Sequence, residues 1–305
     1  MSRFVQQQRF GGPEQLEVVE RDAPDPGPGQ VRVRVAAAGL NPVDWKIGQS
    51  QQLAHVFGVT LPGGFGNDFA GTIDALGDGV LDWAVGDRVF GGRRGAAVAD
   101  HVVAEAASLT RTPDGLDDEV AGSLQIAART ADAAVGAVAP LPGETVVIGG
   151  AAGGVGVLAT QLAVASGARV LATASESNHD FLRELGAEPV AYGEGLVERL
   201  RAAAPEGLAA AVDLHGTTTI DAALELGVAP QRISAIAAGA DAPAGVRRIG
   251  GGDASVGALG RIAAALADGS VVLPIERSFP IERIREAVEL QRGGHVRGKV
   301  VVSMR

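Results

Sequence analysis

The 305-residue chain contains no cysteine. That absence excludes a disulfide framework, an iron–sulfur cluster and a thiolate zinc site, and it fits a cytoplasmic protein. Basic residues are in deficit: 26 Lys and Arg against 36 Asp and Glu give a net charge of −10. Phosphate backbones select basic surfaces, so a nucleic-acid partner is not expected. Aromatics are scarce at 4 %, which leaves the core to Val, Leu, Ile and Ala. No apolar run reaches the ~18 residues that a membrane span needs. The opening Met1-Ser2-Arg3-Phe4 lacks the apolar segment of a secretory leader, so neither export nor a membrane partner is expected.

What is plentiful is glycine, with 44 residues, and small or aliphatic side chains in a chain long enough for two domains. The first third reads as β structure. Val31, Val33 and Val35 alternate with Arg32 and Arg34, so one face is apolar and the other charged. Asp25-Pro26-Gly27-Pro28-Gly29 is a turn. Short strands follow near Gly71–Leu76, Arg88–Phe90 and His101–Val103, a spacing that suggests a barrel-like or sandwich-like domain. From about residue 116 the pattern turns Ala-rich and helical. After Glu144 strands alternate with helices, which implies a doubly wound parallel sheet. The tail is expected to hold a strand near Val271–Pro274, a helix near Ile281–Gln291 and a strand near Lys299–Ser303.

The most informative stretch is Val146-Val147-Ile148-Gly149-Gly150-Ala151-Ala152-Gly153-Gly154-Val155-Gly156. A buried strand runs into a glycine turn and then into an apolar helix. A dinucleotide's pyrophosphate needs that order: side chains are absent where the backbone must approach, and free N–H groups at the helix start face the phosphates. Gly150, Gly153, Gly154 and Val155 are the expected contacts.

An NAD site usually carries Asp or Glu about 20 residues beyond the glycines, to accept from the ribose 2′-OH. Here Thr173-Ala174-Ser175-Glu176-Ser177-Asn178 offers hydroxyls and an amide instead. The pattern favours NADPH, with Glu176 turned to solvent. Tyr192, the only tyrosine, ends the third strand of this series; it either packs at the sheet rim or reaches the 2′-phosphate.

Six pieces together resemble one family. They are residues 38–47 (Ala38-Gly39-Leu40-Asn41-Pro42-Val43-Asp44-Trp45-Lys46-Ile47), Asp68-Phe69-Ala70-Gly71, residues 85–91, Gly149 to Gly156, residues 181–187 and residues 294–301. In this order they resemble the zinc-independent quinone oxidoreductases, the zeta-crystallin-like branch of the medium-chain dehydrogenase/reductase superfamily.

The resemblance implies an α/β protein with two domains. A GroES-like β-barrel catalytic domain would comprise residues 1–120 and 268–305. A Rossmann doubly wound parallel sheet would occupy 121–267, with NADPH in the interdomain cleft. It implies that Asn41 and Asp44 lie near the reacting ring and substrate, with Thr130 beside the nicotinamide. Ser175, Asn178 and Tyr192 would form the 2′-phosphate pocket, where Asn178 replaces a lysine of some members. Ile236 and Ala237 would flank the ring, with Arg297 and Lys299 near the cofactor. A homodimer joined at the Rossmann sheet edge is also implied. Two departures stand out: Arg129 and Asp132 are charged in a usually apolar stretch, and pocket aromatics are few, with Phe57 and Phe65 the nearest. These imply a polar or open pocket.

Without cysteine, the metal-assisted alcohol reaction of zinc-dependent relatives lacks its ligands. The chemistry expected is hydride donation from NADPH to an electrophilic acceptor, a quinone or an α,β-unsaturated carbonyl. Asn41, Thr130 or Lys46 would donate to the developing oxyanion, and solvent would supply the proton. Two alternatives stand beside this: an enoyl-thioester or 2-alkenal reductase, and a non-catalytic NADPH-binding sensor or structural protein. The five histidines are scattered, and no Gly-x-Ser-x-Gly elbow marks a hydrolase.

Overall fold

A computed structural model of the protein describes residues 1–304. The chain divides into two compact units. Residues 1–126, 259–270 and those from Pro274 onward form one, and residues 127–258 with 271–273 form the other.

In chain order the first unit contributes β1 (Ser2–Gln7), β2 (Leu16–Arg21), β3 (Gln30–Gly39), α1 (Pro42–Gln49), α2 (Gln51–Val56), β4 (Gly63–Gly64), β5 (Asp68–Leu76), β6 (Arg88–Gly92), β7 (His101–Glu105), β8 (Thr110–Arg111) and α3 (Asp118–Ala121). Helix α4 (Leu124–Val138) starts in this unit and continues in the second. The second unit holds β9 (Thr145–Gly149), α5 (Gly154–Ala165), β10 (Arg169–Ala174), α6 (His179–Glu184), β11 (Glu188–Ala191), α7 (Leu196–Ala203), β12 (Ala210–Asp213), α8 (Thr218–Glu225), β13 (Ile233–Ala235) and β14 (Arg247–Arg248). The tail adds α9 (Ala258–Ala267), β15 (Ile275–Pro280), α10 (Ile284–Arg292) and β16 (Lys299–Ser303).

Strand β3 organises the first unit. Its valines 31, 33 and 35 are buried while Arg34 is exposed, as their alternation dictates. It pairs antiparallel with β5, β7 and β16 in a seven-stranded sheet ordered β15-β16-β3-β5-β6-β8, with β7 on β3. A small sheet, β2-β1-β4, is tied by an isolated bridge from Phe4 to Ala99, in the segment that leads into β7. Phe65, Phe69, Ile73, Val89, Val300 and Val302 fill the core; each such side chain contributes about 1.5–3 kcal/mol by leaving water.

The segment after β3 is helical. Pro42 occupies the first turn of α1, where its missing N–H is no loss. The Asp44 carboxylate accepts the backbone N–H of Asn41 at 2.7 Å, which closes the helix start.

The second unit is a six-stranded parallel sheet ordered β11-β10-β9-β12-β13-β14. The strand expected at Val271–Pro274 lies instead at Ile275–Pro280. Val272 is held by a side chain: the Gln161 amide donates to its carbonyl at 2.8 Å and accepts its N–H at 2.9 Å, so it copies a strand partner.

Candidate functional site

In the second unit, β9 ends in the glycine turn. Gly150 has φ +72°, which only glycine adopts freely. A Cβ on Gly149 would stand 2.2 Å from Thr219 Oγ1, and one on Gly156 2.1 Å from the Gly150 carbonyl oxygen. The turn and the first turn of α5 therefore touch through backbone alone. Gly153 is the N-cap and offers no side-chain acceptor. The first N–H groups of α5 thus keep their capacity for an anion. This cradle fits a dinucleotide pyrophosphate.

The loop after β12 braces it. Asp213 is buried, and its carboxylate accepts the N–H groups of His215 and Gly216 at 2.8 Å each and of Thr219 at 3.0 Å. The Cβ of His215 then lies 3.3 Å from the position a Cβ on Gly150 would take.

At the next strand ends, Thr173 is buried within β10, and Ser175 is the first residue beyond it. Asn178 Nδ2 donates to Ser175 Oγ at 3.1 Å, and Ser175 and Ser177 exchange a hydroxyl contact at 3.1 Å. Glu176 is exposed. Tyr192 is half-exposed just beyond β11. Ala174 pairs with Ala191, so Ser175 and Tyr192 leave the sheet side by side. Ile236 and Ala237 follow the end of β13 rather than lying in it.

In α4, Thr130 is buried, and its Oγ1 lies 3.5 Å from where a Cβ on Gly251 would stand. The charge of Asp132 has a local task. Its carboxylate accepts both the N–H and the hydroxyl of Ser255, at 2.7 and 2.8 Å, which fixes the 250–255 loop to the helix.

The first unit holds a buried polar cluster around the start of α1. Lys299 Nζ donates to Asn41 Oδ1 at 2.6 Å and to the Leu40 carbonyl at 2.8 Å. Asp44 accepts from Asn67 Nδ2 through its other oxygen. Asp68 Oδ2 accepts the Ile126 N–H at 3.2 Å, while its Oδ1 and the Oε1 of Gln125 are buried with no hydrogen-bond partner among the described residues. Burial pushes the Asp44 carboxyl up to about 7; the Asn67 amide opposes the rise and the charge of Asp68 adds to it. Burial likewise pushes Asp68 up to about 6 against the pull of Lys299. The Lys299 ammonium is pushed down by burial, opposed by both carboxylates. A cavity of about 20 Å³ borders Asp44, Asn67, Gln7 and Phe65; that is room for about one water.

The structure thus gathers Asn41, Asp44 and Lys299. It does not bring in Lys46, which is exposed on the other face of α1 with its ammonium 5.7 Å from the Trp45 ring. Arg297 is half-buried, and its N–H donates to Glu276 at 3.2 Å. Asn67 and Asp68 are members of the cluster that sequence reasoning does not select as site residues. Their signal is Asn-Asp at the head of an apolar strand, where a side chain facing the core is otherwise hydrophobic.

Two family models match the chain: the alcohol dehydrogenase GroES-like domain over residues 27–142 and the zinc-binding dehydrogenase domain over residues 154–247. The chain belongs to the medium-chain dehydrogenase/reductase superfamily. Its architecture is accordingly a GroES-like domain plus a Rossmann domain. A quinone oxidoreductase of Pseudomonas aeruginosa is 37 % identical over 204 residues, 65 % of this chain and 61 % of that protein. The chain spans about six-tenths or less of the length of the first curated relatives it matches. Among solved structures, a quinone oxidoreductase from Coxiella burnetii superposes with a TM-score of 0.88 at 28 % identity, covering 100 % of this chain and 99 % of that one. The CurK enoyl reductase gives 0.85 at 26 % identity, with 100 % and 99 % covered.

The superfamily is one of nicotinamide-dependent oxidoreductases. The zinc implied by the second family's description finds no matching donor set. The sequence has no thiolate, and among the described residues no three His, Asp or Glu side chains gather to hold a metal. No described helix is long and apolar enough to cross a membrane.

Proposed function

We propose that the protein is a zinc-independent, NADPH-dependent reductase of quinones or α,β-unsaturated carbonyls. The observation that carries the reading is the side-chain-free cradle between β9 and α5, followed at the end of β10 by hydroxyls and an amide where an NAD site has a carboxylate.

When bound, NADPH supplies the hydride. The chain's own residues bind and orient. Gly150 and Gly153 leave room for the pyrophosphate, and the N–H groups of Gly154 and Val155 at the start of α5 donate to it. Ser175 and Asn178 present donors to the 2′-phosphate, and Tyr192 borders them. Thr130, Ile236 and Ala237 are assigned to the nicotinamide end. Asn41 is assigned as the donor to the acceptor's oxygen, where negative charge develops. Burial brings the Asp44 carboxyl to about 7, so it can both take and give a proton near neutral pH, which suits the proton balance of carbonyl reduction.

The likeness to the CurK enoyl reductase favours an enoyl thioester as the second acceptor class. The test follows NADPH absorbance with the purified chain against a panel of quinones, enones, 2-alkenals and enoyl thioesters. Turnover with one class names the acceptor. Tight NADPH binding without turnover across the panel overturns the enzyme reading, and tighter NADH than NADPH binding overturns the cofactor reading.

A further inference from the structure

Arg199 is a half-buried arginine whose hydrogen-bond partners are all carbonyls. Its Nε donates to the Ala191 carbonyl at 2.9 Å, and its Nη2 to those of Tyr192 and Gly193 at 3.3 Å each. Among the described residues Nη1 makes no hydrogen bond and no carboxylate lies within ion-pair distance of this guanidinium. A guanidinium docked on carbonyls keeps its full positive charge, so its remaining N–H groups can still take an oxygen of an anion.

Its position is informative. The three carbonyls lie at the C-terminal end of β11, which pairs in parallel with β10. Neighbouring strands lie about 4.8 Å apart, so the guanidinium's anchor at Tyr192 is one strand from Ser175. Ligands of parallel sheets gather at this edge. Within residues 173–178 no Lys or Arg is present, and Asn178 is neutral. The cation absent from the end of β10 is therefore available from the first turn of α7.

We propose that Arg199 is a specificity residue of the nucleotide site: docked on the three strand-end carbonyls, its free amino group takes an oxygen of the 2′-phosphate, beside the Ser175 hydroxyl and Asn178 amide. The proposal rests on the reading of the cradle as a dinucleotide site. Docking on backbone carbonyls fixes the guanidinium before the phosphate arrives, so little side-chain entropy is lost on binding. The exposed Glu176 lies in the same loop region, and Arg199 offsets its repulsion of the phosphate.

The test titrates NADPH and NADH into the full chain by fluorescence, comparing unmodified protein, Arg199→Gln and Arg199→Lys, with melting temperature read alongside. A charge-assisted hydrogen bond is worth about 10- to 100-fold in affinity. Arg199→Gln is expected to weaken NADPH by that factor and leave NADH within about twofold, and Arg199→Lys to recover part of the loss.

Equal loss of both nucleotides, together with a lower melting temperature, makes Arg199 a structural cap and overturns the proposal. Unchanged NADPH affinity overturns it too. Should Arg199→Gln fail to fold, the unmodified protein supplies the measurement. Modification of Arg199 by a dicarbonyl reagent, read by mass spectrometry, is expected to be blocked by 2′,5′-ADP and not by 5′-AMP. Equal protection by both probes overturns the proposal. Failure of unmodified protein to bind either dinucleotide overturns the nucleotide reading itself, and this proposal with it.

Discussion

Lys299 reaches Asn41 Oδ1 at 2.6 Å across 258 positions of sequence. The pairing of β16 with the end of β3 brings them together, since Val301 faces Gly39 and the Leu40 N–H donates to the Val300 carbonyl at 2.9 Å. The ammonium satisfies two buried acceptors and offsets the charges of Asp44 and Asp68. Lys299→Met strands all of these. Removing one partner of a buried ionic cluster costs about 3–5 kcal/mol. Urea unfolding is expected to report a loss of that order. The double variant with Asp68→Asn should recover part of it, because one uncompensated carboxylate disappears. Additive losses in that cycle would mean that Lys299 and Asp68 do not interact.

The same cluster gives stability a pH dependence of unusual sign. The folded protein holds a proton on Asp44 up to about pH 7, whereas the unfolded chain releases it near its ordinary value of 3.8. Between those values the folded state binds more protons, so this group's contribution is complete below about pH 4 and is lost as pH rises through about 7. The effect is on the order of a few kcal/mol. Asp44→Asn removes it. The melting-temperature difference between Asp44→Asn and the unmodified protein should move in the variant's favour from pH 5 to pH 8. A difference independent of pH would place the Asp44 carboxyl at an ordinary value.

What the sequence reveals is local. The strand, glycine turn and helix of residues 145–165 are legible because each step has its own residue signature. The valine–arginine alternation of β3 exposes its buried face directly. Helix α1 is short and polar enough to read as a loop, although Asn41-Pro42 with Asp44 two positions on is a helix-start signature. Strand β15 is displaced from its expected place because its residues Glu276, Arg277 and Ser278 are exposed, so hydropathy points to the apolar Val271-Val272 just before it. The polar cluster is illegible as a unit. Lys299, Asn41, Asn67 and Asp68 meet only through strand pairing, and no spacing rule links residues so far apart. Arg129 and Asp132 look anomalous in an apolar helix until the Ser255 loop supplies the partner for Asp132.

Gly156 is expected to be irreplaceable for nucleotide binding rather than for helix formation. A methyl there would stand 2.1 Å from the Gly150 carbonyl oxygen and 2.7 Å from Ala151 Cα, both backbone atoms. Helix α5 must shift away from the turn to accommodate it, and the N–H groups then no longer converge. Gly156→Ala should lower NADPH affinity at least about tenfold, the effect of a misplacement costing ~1.4 kcal/mol. Gly136 is the control: it is exposed in α4, and a methyl there would meet nothing within 4 Å. Gly136→Ala should raise stability by about 0.5–1 kcal/mol and leave nucleotide affinity unchanged. Equal nucleotide affinity in the two variants would remove the glycine turn from the binding site.

Asp213 connects stability to the same turn by a different route. Its carboxylate is the acceptor for three backbone N–H groups, two in the loop after β12 and one in the first turn of α8. Asp213→Ala leaves them without that acceptor, at about 1–3 kcal/mol for a buried group left unsatisfied. Asp213→Asn keeps one acceptor oxygen, which can serve His215 and Gly216, but turns an amide N–H toward Thr219. Its loss should be intermediate. Because His215 is held against Gly150 by this carboxylate, nucleotide affinity should fall in the same order: unmodified, Asp213→Asn, Asp213→Ala. Thermal melts and NADPH titrations of the three proteins measure both effects. A variant that loses stability while keeping full affinity would show that the loop does not brace the glycine turn.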